Sequence, residues 1–235
     1  MKKAFCGFLC LMLAGCMSLT SKEPAPTIYA LQAGNATPVP VMHRVVIVPE
    51  PQVPQGFATD QIALHLEGGR RFDYYLNVRW PAEFDRVLQD FVIESARRVW
   101  PNAVVARPDF GVPADSRLAI QLIDFEPVYG AGPDGVPVLK VGMSFTLLSV
   151  PDGKILCHFS VSDRKAASAN TQTAVAAGLN ALAKSVVARA LTRVGRAEPY
   201  PPAPVGDSGG NDNDHQKSEG RLPPGVEKGQ ESGHL

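Results

Sequence analysis

Alternating apolar and polar positions predict several β-strands in the first half of the chain. Residues 45–48 form an uninterrupted β-branched run bounded by prolines, which is typical of a central strand buried on both faces. Strict alternation over residues 61–67 and 72–78, on either side of a two-glycine turn, predicts a pair of half-buried strands. Shorter strands are predicted at residues 28–32 and 104–106.

The second half of the chain predicts an antiparallel meander. Apolar residues alternate with polar ones over residues 118–122, 139–147 and 155–161. Glycine-rich residues 130–135 and the Pro-Asp-Gly turn at 151–153 separate these segments, because proline presets φ and glycine accepts a positive φ.

Two segments follow a helical period instead. The first is expected to start with Pro81 in its opening turn and to end before Pro101. Its apolar face comprises Phe84, Val87, Leu88, Phe91 and Val92. The second is alanine-rich and covers residues 171–194, with basic residues in its C-terminal half that suit the helix dipole. The order of elements predicts a single α/β (α+β) domain, a mixed sheet packed by two main helices.

The amino terminus carries a different pattern. Lys2 and Lys3 precede an apolar run over residues 4–14 that is too short to span a bilayer. A basic start, an apolar middle and small residues are the order of a secretory signal. The sequence Leu13-Ala14-Gly15-Cys16 resembles the lipobox of bacterial lipoproteins, which implies that Cys16 is lipidated and becomes the first mature residue. The alternative is an ordinary cleaved signal followed by a chance cysteine.

These patterns divide the chain into four segments. Residues 1–15 are the signal peptide, and residues 16–27 are the lipidated cysteine and a tether. Residues 28–196 form the domain. Residues 197–235 are rich in proline, glycine and polar residues and are predicted to be disordered, since they cannot bury enough apolar surface to offset the entropy of ordering.

Composition narrows the function. The chain has 23 Lys and Arg against 23 Asp and Glu, so no basic surface points to nucleic acid. Of the four cysteines, Cys157 is the only one expected to remain as a free thiol, so no internal disulfide is predicted. Its place in an alternating run favours a buried core residue over a reactive thiol.

No pattern points to catalysis or to a cofactor. Residues 130–135 match GxGxxG as a string, but a strand-like run follows where a dinucleotide site needs a helix. Asp124 and Glu126 share one strand face, which is more typical of a charged solvent face than of an acid–base pair. Cys157 and His158 are neighbours in a strand and point to opposite faces, and no histidine spacing suits a metal. We therefore expect no catalytic residue, metal or cofactor, and no enzyme activity.

Arg79 and Trp80 lie near a cluster of cationic and aromatic residues at 70–75. Such residues are enriched at protein interfaces, so the pair is a candidate contact with a partner. The alternative is that Trp80 packs over the start of the first helix.

The order of these motifs resembles that of the ABC-type transport auxiliary lipoproteins, the family of paraquat-inducible protein C. The resemblance rests on the anchored Cys16, residues 28–31, the β-run ending in prolines at 45–54, and Arg79-Trp80 before an amphipathic helix. It implies a fold like the N-terminal domain of TolB. It also implies two partners, an inner-membrane MCE-domain protein and an ABC permease/ATPase complex.

The function expected from the sequence is that of an auxiliary lipoprotein in a transenvelope lipid or hydrophobic-solute transport system. By resemblance, Met17 rather than Asp after the cysteine favours the outer membrane, with the domain facing the periplasm. The alternative is a lipoprotein regulator that binds cell-wall synthases or peptidoglycan. Association with further copies of the chain is also left open.

Overall fold

The computed structural model describes residues 25–39, 45–111, 113–130 and 132–196. They form one mixed sheet of eight strands with two α-helices, which confirms the predicted α/β domain. The strands are β1 (Thr27–Ile28), β2 (Val45–Ile47), β3 (Gln61–Leu66), β4 (Arg71–Arg79), β5 (Val104–Ala106), β6 (Ser116–Val128), β7 (Val138–Ser149) and β8 (Ile155–Ala166). The helices are α1 (Phe84–Val99) and α2 (Gln172–Arg196).

Strand β6 organises the sheet. One of its edges pairs antiparallel with β7, and β7 pairs antiparallel with β8, so the predicted meander is confirmed. The other edge is shared by two parallel strands, β2 at Ser116 and β3 at Val128. The sheet therefore branches, with β5 beyond β2 on one arm and β4 and β1 beyond β3 on the other.

Both helices lie on the same face of the sheet, where they contact each other. α1 packs on β5, and α2 packs on β6, β7 and β8. The core between these layers contains the fully buried Leu88, Trp100, Phe145 and Leu179. By length and composition α2 could cross a membrane, but half of its most apolar window is buried inside the domain.

The boundaries of α1 and β1 differ from the sequence prediction. α1 begins at Phe84 rather than in the turn containing Pro81, because the Phe84 N–H is held by the carbonyl of Thr59. The strand predicted at residues 28–32 is limited to Thr27–Ile28. Its pairing with β4 ends with a hydrogen bond from the Tyr29 N–H to the carbonyl of Arg79.

Strand β4 also departs from simple alternation. Its register with β3 shifts between Gln61 and Ala63, and Asn77 adopts a left-handed φ of 57°. Such an irregularity re-aims the side chains beside it. Leu76, predicted to share a face with Val78, is 79% exposed, whereas Val78 is buried.

Gly178 marks a close approach between α2 and the sheet. A Cβ atom at this position would lie well inside van der Waals contact with Cδ1 of the buried Leu139. Helix propensity alone would make the protein with alanine at position 178 more stable than the protein with glycine by about 1 kcal/mol. We expect Gly178→Ala to lower the free energy of unfolding by about 1–3 kcal/mol instead, since overpacking outweighs propensity.

Urea denaturation measures this change. The double variant Gly178→Ala/Leu139→Ala is the matched control, because it removes the atom that the new methyl group meets. It should lose less stability than the sum of the two single variants. A stabilised Gly178→Ala protein would show that the helix and sheet are not in close contact here.

Candidate functional site

The predicted lipidation site lies outside the described residues. Leu13, Ala14, Gly15 and Cys16 precede the first described residue, Ala25, and residues 197–235 follow the last, Arg196. Lipidation of Cys16 and disorder of the tail therefore remain predictions.

The structure separates the roles of Arg79 and Trp80. Trp80 is only 4% exposed, and its ring centroid lies 5.3 Å from that of Phe84 and 5.9 Å from that of Phe125. Its side chain therefore packs over the start of α1, as the alternative interpretation held. Arg79 is partly exposed and donates a hydrogen bond from Nη1 to Oδ1 of Asp60 at 2.7 Å. A partner contact at Arg79 remains a prediction.

The sheet face opposite α1 and α2 is polar along β6, β7 and β8. A shallow depression of about 260 Å³ lies on it, lined in part by Glu50, Gln52, Arg117 and Ser144. The imidazole of His158 also lines the depression, where its Nδ1 hydrogen-bonds Thr146 Oγ1 at 2.8 Å. His158 thus has a partner on the neighbouring strand.

Cys157 points away from that depression. Its side chain is half-buried and packs against the core on the helix side, as expected for a neighbour of His158 in a strand. Burial raises the pKa of its thiol, while the neighbouring Arg193 acts in the opposite direction. A raised pKa reduces the fraction of thiolate, the nucleophilic form.

A buried carboxyl group is the most unusual feature of the helix-free face. Glu126 was expected on a solvent face with Asp124, but it is only 3% exposed. Its Oε2 accepts a hydrogen bond from the N–H of Phe125 at 2.6 Å, and its Oε1 lies 3.4 Å from Nδ1 of His65. His65 comes from β3, so the contact joins the β3 arm of the sheet to β6.

Both groups favour their neutral forms. Burial raises the pKa of Glu126 to about 7, and the nearby Asp124 adds to this effect, while the bond from Phe125 and the charge of Lys140 oppose it. Burial and Lys140 lower the pKa of His65, and Asp124 partly offsets them. At pH 7 about half of the Glu126 carboxyl is protonated and His65 favours its neutral form, so the stabilisation of this contact does not come from full opposite charges.

This pair predicts a pH dependence of stability. The pKa of Glu126 is higher in the folded chain than its ordinary value of 4.5, so the folded state holds more protons between pH 4.5 and about 7. The Glu126 contribution to stability therefore falls as pH rises through that window, by up to about 3 kcal/mol. The pKa of His65 is lower in the folded chain, so protonation at acid pH favours the unfolded chain. The His65 contribution to stability therefore rises with pH, opposite to that of Glu126.

The Glu126→Gln variant tests the contribution of the Glu126 carboxyl group to this pH dependence. We expect it to be more stable than the wild type by about 1–3 kcal/mol at pH 8 and nearly equal to it at pH 4.5, because glutamine is never charged. Urea denaturation at both pH values measures the difference. Glu67→Gln, at an exposed carboxyl, is the matched control. An equal effect of Glu126→Gln at both pH values would contradict the assignment.

The structure supports no nucleotide or metal site among the remaining sequence motifs in the described residues. The GxGxxG string lies in the loop between β6 and β7, and the described residues after it enter a strand, as predicted. Within the described ranges, no group of three or more His, Cys, Asp or Glu side chains is arranged to hold a metal ion.

Comparison with known proteins identifies the family. A sequence model of the ABC-type transport auxiliary lipoprotein component matches residues 29–190, which is more than half of the chain. The protein belongs to this family. No curated protein is significantly similar to it in sequence.

Solved structures share the fold. Protein XCC0632 from Xanthomonas campestris, of family DUF330, superposes with a TM-score of 0.64 at 20% identity, covering 72% of this chain and 94% of that one. A second, uncharacterized protein superposes with a TM-score of 0.58 at 14% identity, covering 73% and 99%. At these identities the likeness establishes the fold alone.

Proposed function

We propose that this auxiliary lipoprotein is anchored in the outer membrane through Cys16 and serves an ABC transporter with an MCE-domain component. The match of residues 29–190 to the auxiliary component of ABC-type transport carries the proposal. The domain faces the periplasm, and the cargo is a lipid or another hydrophobic solute. The chain acts by binding its partners rather than by catalysis.

The arrangement of the described residues suits such a role. The candidate nucleophile, Cys157, is half-buried with a raised pKa, and His158 on the helix-free face is hydrogen-bonded to Thr146. The two helices use one face of the sheet for the core, and the polar strands β6 to β8 leave the other face accessible to proteins. These features favour a binding component over a hydrolase.

Affinity purification from cell envelopes tests the proposal. A tag on the full chain, after mild crosslinking, should recover an MCE-domain protein together with an ABC permease and ATPase. An unrelated outer-membrane lipoprotein expressed at the same level is the control. Recovery of cell-wall synthases instead, or sedimentation of the chain with purified peptidoglycan, would overturn the proposal in favour of the regulator.

A further inference from the structure

The start of the described chain indicates which end of the domain faces the anchor. β1 runs parallel to β4, with Thr27 opposite Val78 and Ile28 opposite Arg79. Going backwards from Thr27, the chain therefore heads toward the end of β4 that begins at Arg71. Ala25 is exposed, and eight residues lie between it and Cys16. The nine Cα–Cα steps from Cys16 to Ala25 span at most ~32 Å when fully extended.

Several segments meet at that end of the domain. The turn between β3 and β4 is joined to the end of β6 by a hydrogen bond from the Gly68 N–H to the carbonyl of Tyr129. Just before α2, Asn170 accepts a hydrogen bond from the Tyr129 hydroxyl and donates one to the carbonyl of Pro133. Gln172 donates to the carbonyl of Leu76. These bonds fix the β3–β4 turn, the β6–β7 loop and the irregular part of β4 beside one another.

Exposed apolar side chains lie on this end. Leu76 is 79% exposed and Val136 is 54% exposed, and Val138, at the start of β7, is also exposed. The charged side chains around them carry both signs, with Arg70, Arg71 and Lys165 beside Glu67 and Asp134, and Arg71 pairs with Glu67. A lipid surface would therefore be contacted through apolar side chains, with little selection for anionic headgroups.

We propose that this end, defined by Leu76, Val136 and Val138, is a membrane-contacting surface that holds the domain in one orientation on the lipid. The inference rests on the proposed anchor at Cys16. Residues 25–28 run away from this end, so contact through the opposite end would require the chain before residue 25 to reverse direction. Leu76 and Val136 enter the headgroup region, and Val150 and Ile155 at the opposite end stay in water.

Fluorescent labels at single cysteines test the orientation. The full lipidated chain with Cys157→Ala carries one added substitution, Leu76→Cys or Val136→Cys, and is reconstituted into vesicles of phosphatidylethanolamine and phosphatidylglycerol. The matched controls are Ile155→Cys and Val150→Cys, at positions that are 64% and 44% exposed. Each protein carries an environment-sensitive fluorophore, and nitroxide-labelled lipids serve as quenchers.

We expect severalfold stronger quenching at Leu76 and Val136 than at the two controls, because an apolar surface element enters the interface by about 5–10 Å. The difference should change little between low and high salt. Equal quenching at all four positions, in protein that floats with the vesicles, would overturn the orientation and leave the anchor intact. Protein that does not float with the vesicles would refute the anchor and this inference with it. Thermal unfolding of each labelled chain verifies its fold.

Discussion

Replacing Cys16 with serine should release the protein from the membrane. A thioether-linked lipid requires the sulfur, and a hydroxyl at this position cannot replace it. Each buried CH₂ contributes about 0.8 kcal/mol, so two or three acyl chains hold a protein stably and their loss removes essentially all of the attachment. In cell fractionation, the Cys16→Ser chain should move out of the membrane pellet or remain as an unprocessed precursor, and it should incorporate no labelled fatty acid.

The matched control is Cys157→Ser, which alters the one free cysteine among the described residues and lies on a strand far along the chain from the lipobox. This variant should stay in the membrane pellet and keep its fatty-acid label. Unchanged fractionation and labelling of Cys16→Ser would mean that the Leu-Ala-Gly-Cys pattern is an ordinary signal with a chance cysteine. The alternative considered for the amino terminus would then be correct.

Replacing Trp100 with alanine should cause the largest loss of stability in the folded domain. Trp100 directly follows α1, is fully buried, and donates a hydrogen bond from its indole N–H to the carbonyl of Leu191 at 3.1 Å. Gly195 leaves room for the ring, because a Cβ there would lie 2.8 Å from the indole nitrogen. Trp100 therefore packs the C-terminal end of α1 against α2. We expect Trp100→Ala to lower the free energy of unfolding by about 3–5 kcal/mol.

Urea denaturation at a fixed pH measures that loss, with two comparison variants. Trp100→Phe keeps most of the apolar volume but loses the indole hydrogen bond to the Leu191 carbonyl, so it should cost about 1–3 kcal/mol. Leu76→Ala, at a strongly exposed position, should stay within about 0.5 kcal/mol of the wild type. A Trp100→Ala loss no larger than that of Leu76→Ala would contradict the packing of the two helices described above.

The hydrophobic pattern predicted the elements well and their three-dimensional relations less well. Alternation identified β6, β7 and β8, and the helical period identified the apolar face of α1, because both signals are local. The pattern could not show that both helices lie on one face. It also predicted that Leu76 and Val78 share one face of β4, because the sequence of β4 does not predict the left-handed conformation of Asn77.

The buried pair shows a second limit of sequence reasoning. Alternation predicted that Glu126 shares a solvent-exposed strand face with Asp124, but Glu126 is buried, and this burial depends on His65 of β3 and on strands far away in the chain. No spacing in the sequence connects these two residues, because the parallel contact between β3 and β6 brings them together. The resemblance to TolB remains a prediction, while membership of the auxiliary lipoprotein family is established by the match over residues 29–190.

The most direct test of the central proposal starts from the transporter. The MCE-domain component is tagged, the assembly is extracted from envelopes, and the amount of this lipoprotein that accompanies it is measured against the ABC permease. The proposal predicts that the wild-type chain is recovered in a fixed ratio to the permease and that the Cys16→Ser chain is largely lost. Recovery of an intact MCE–ABC assembly without the wild-type lipoprotein would contradict it.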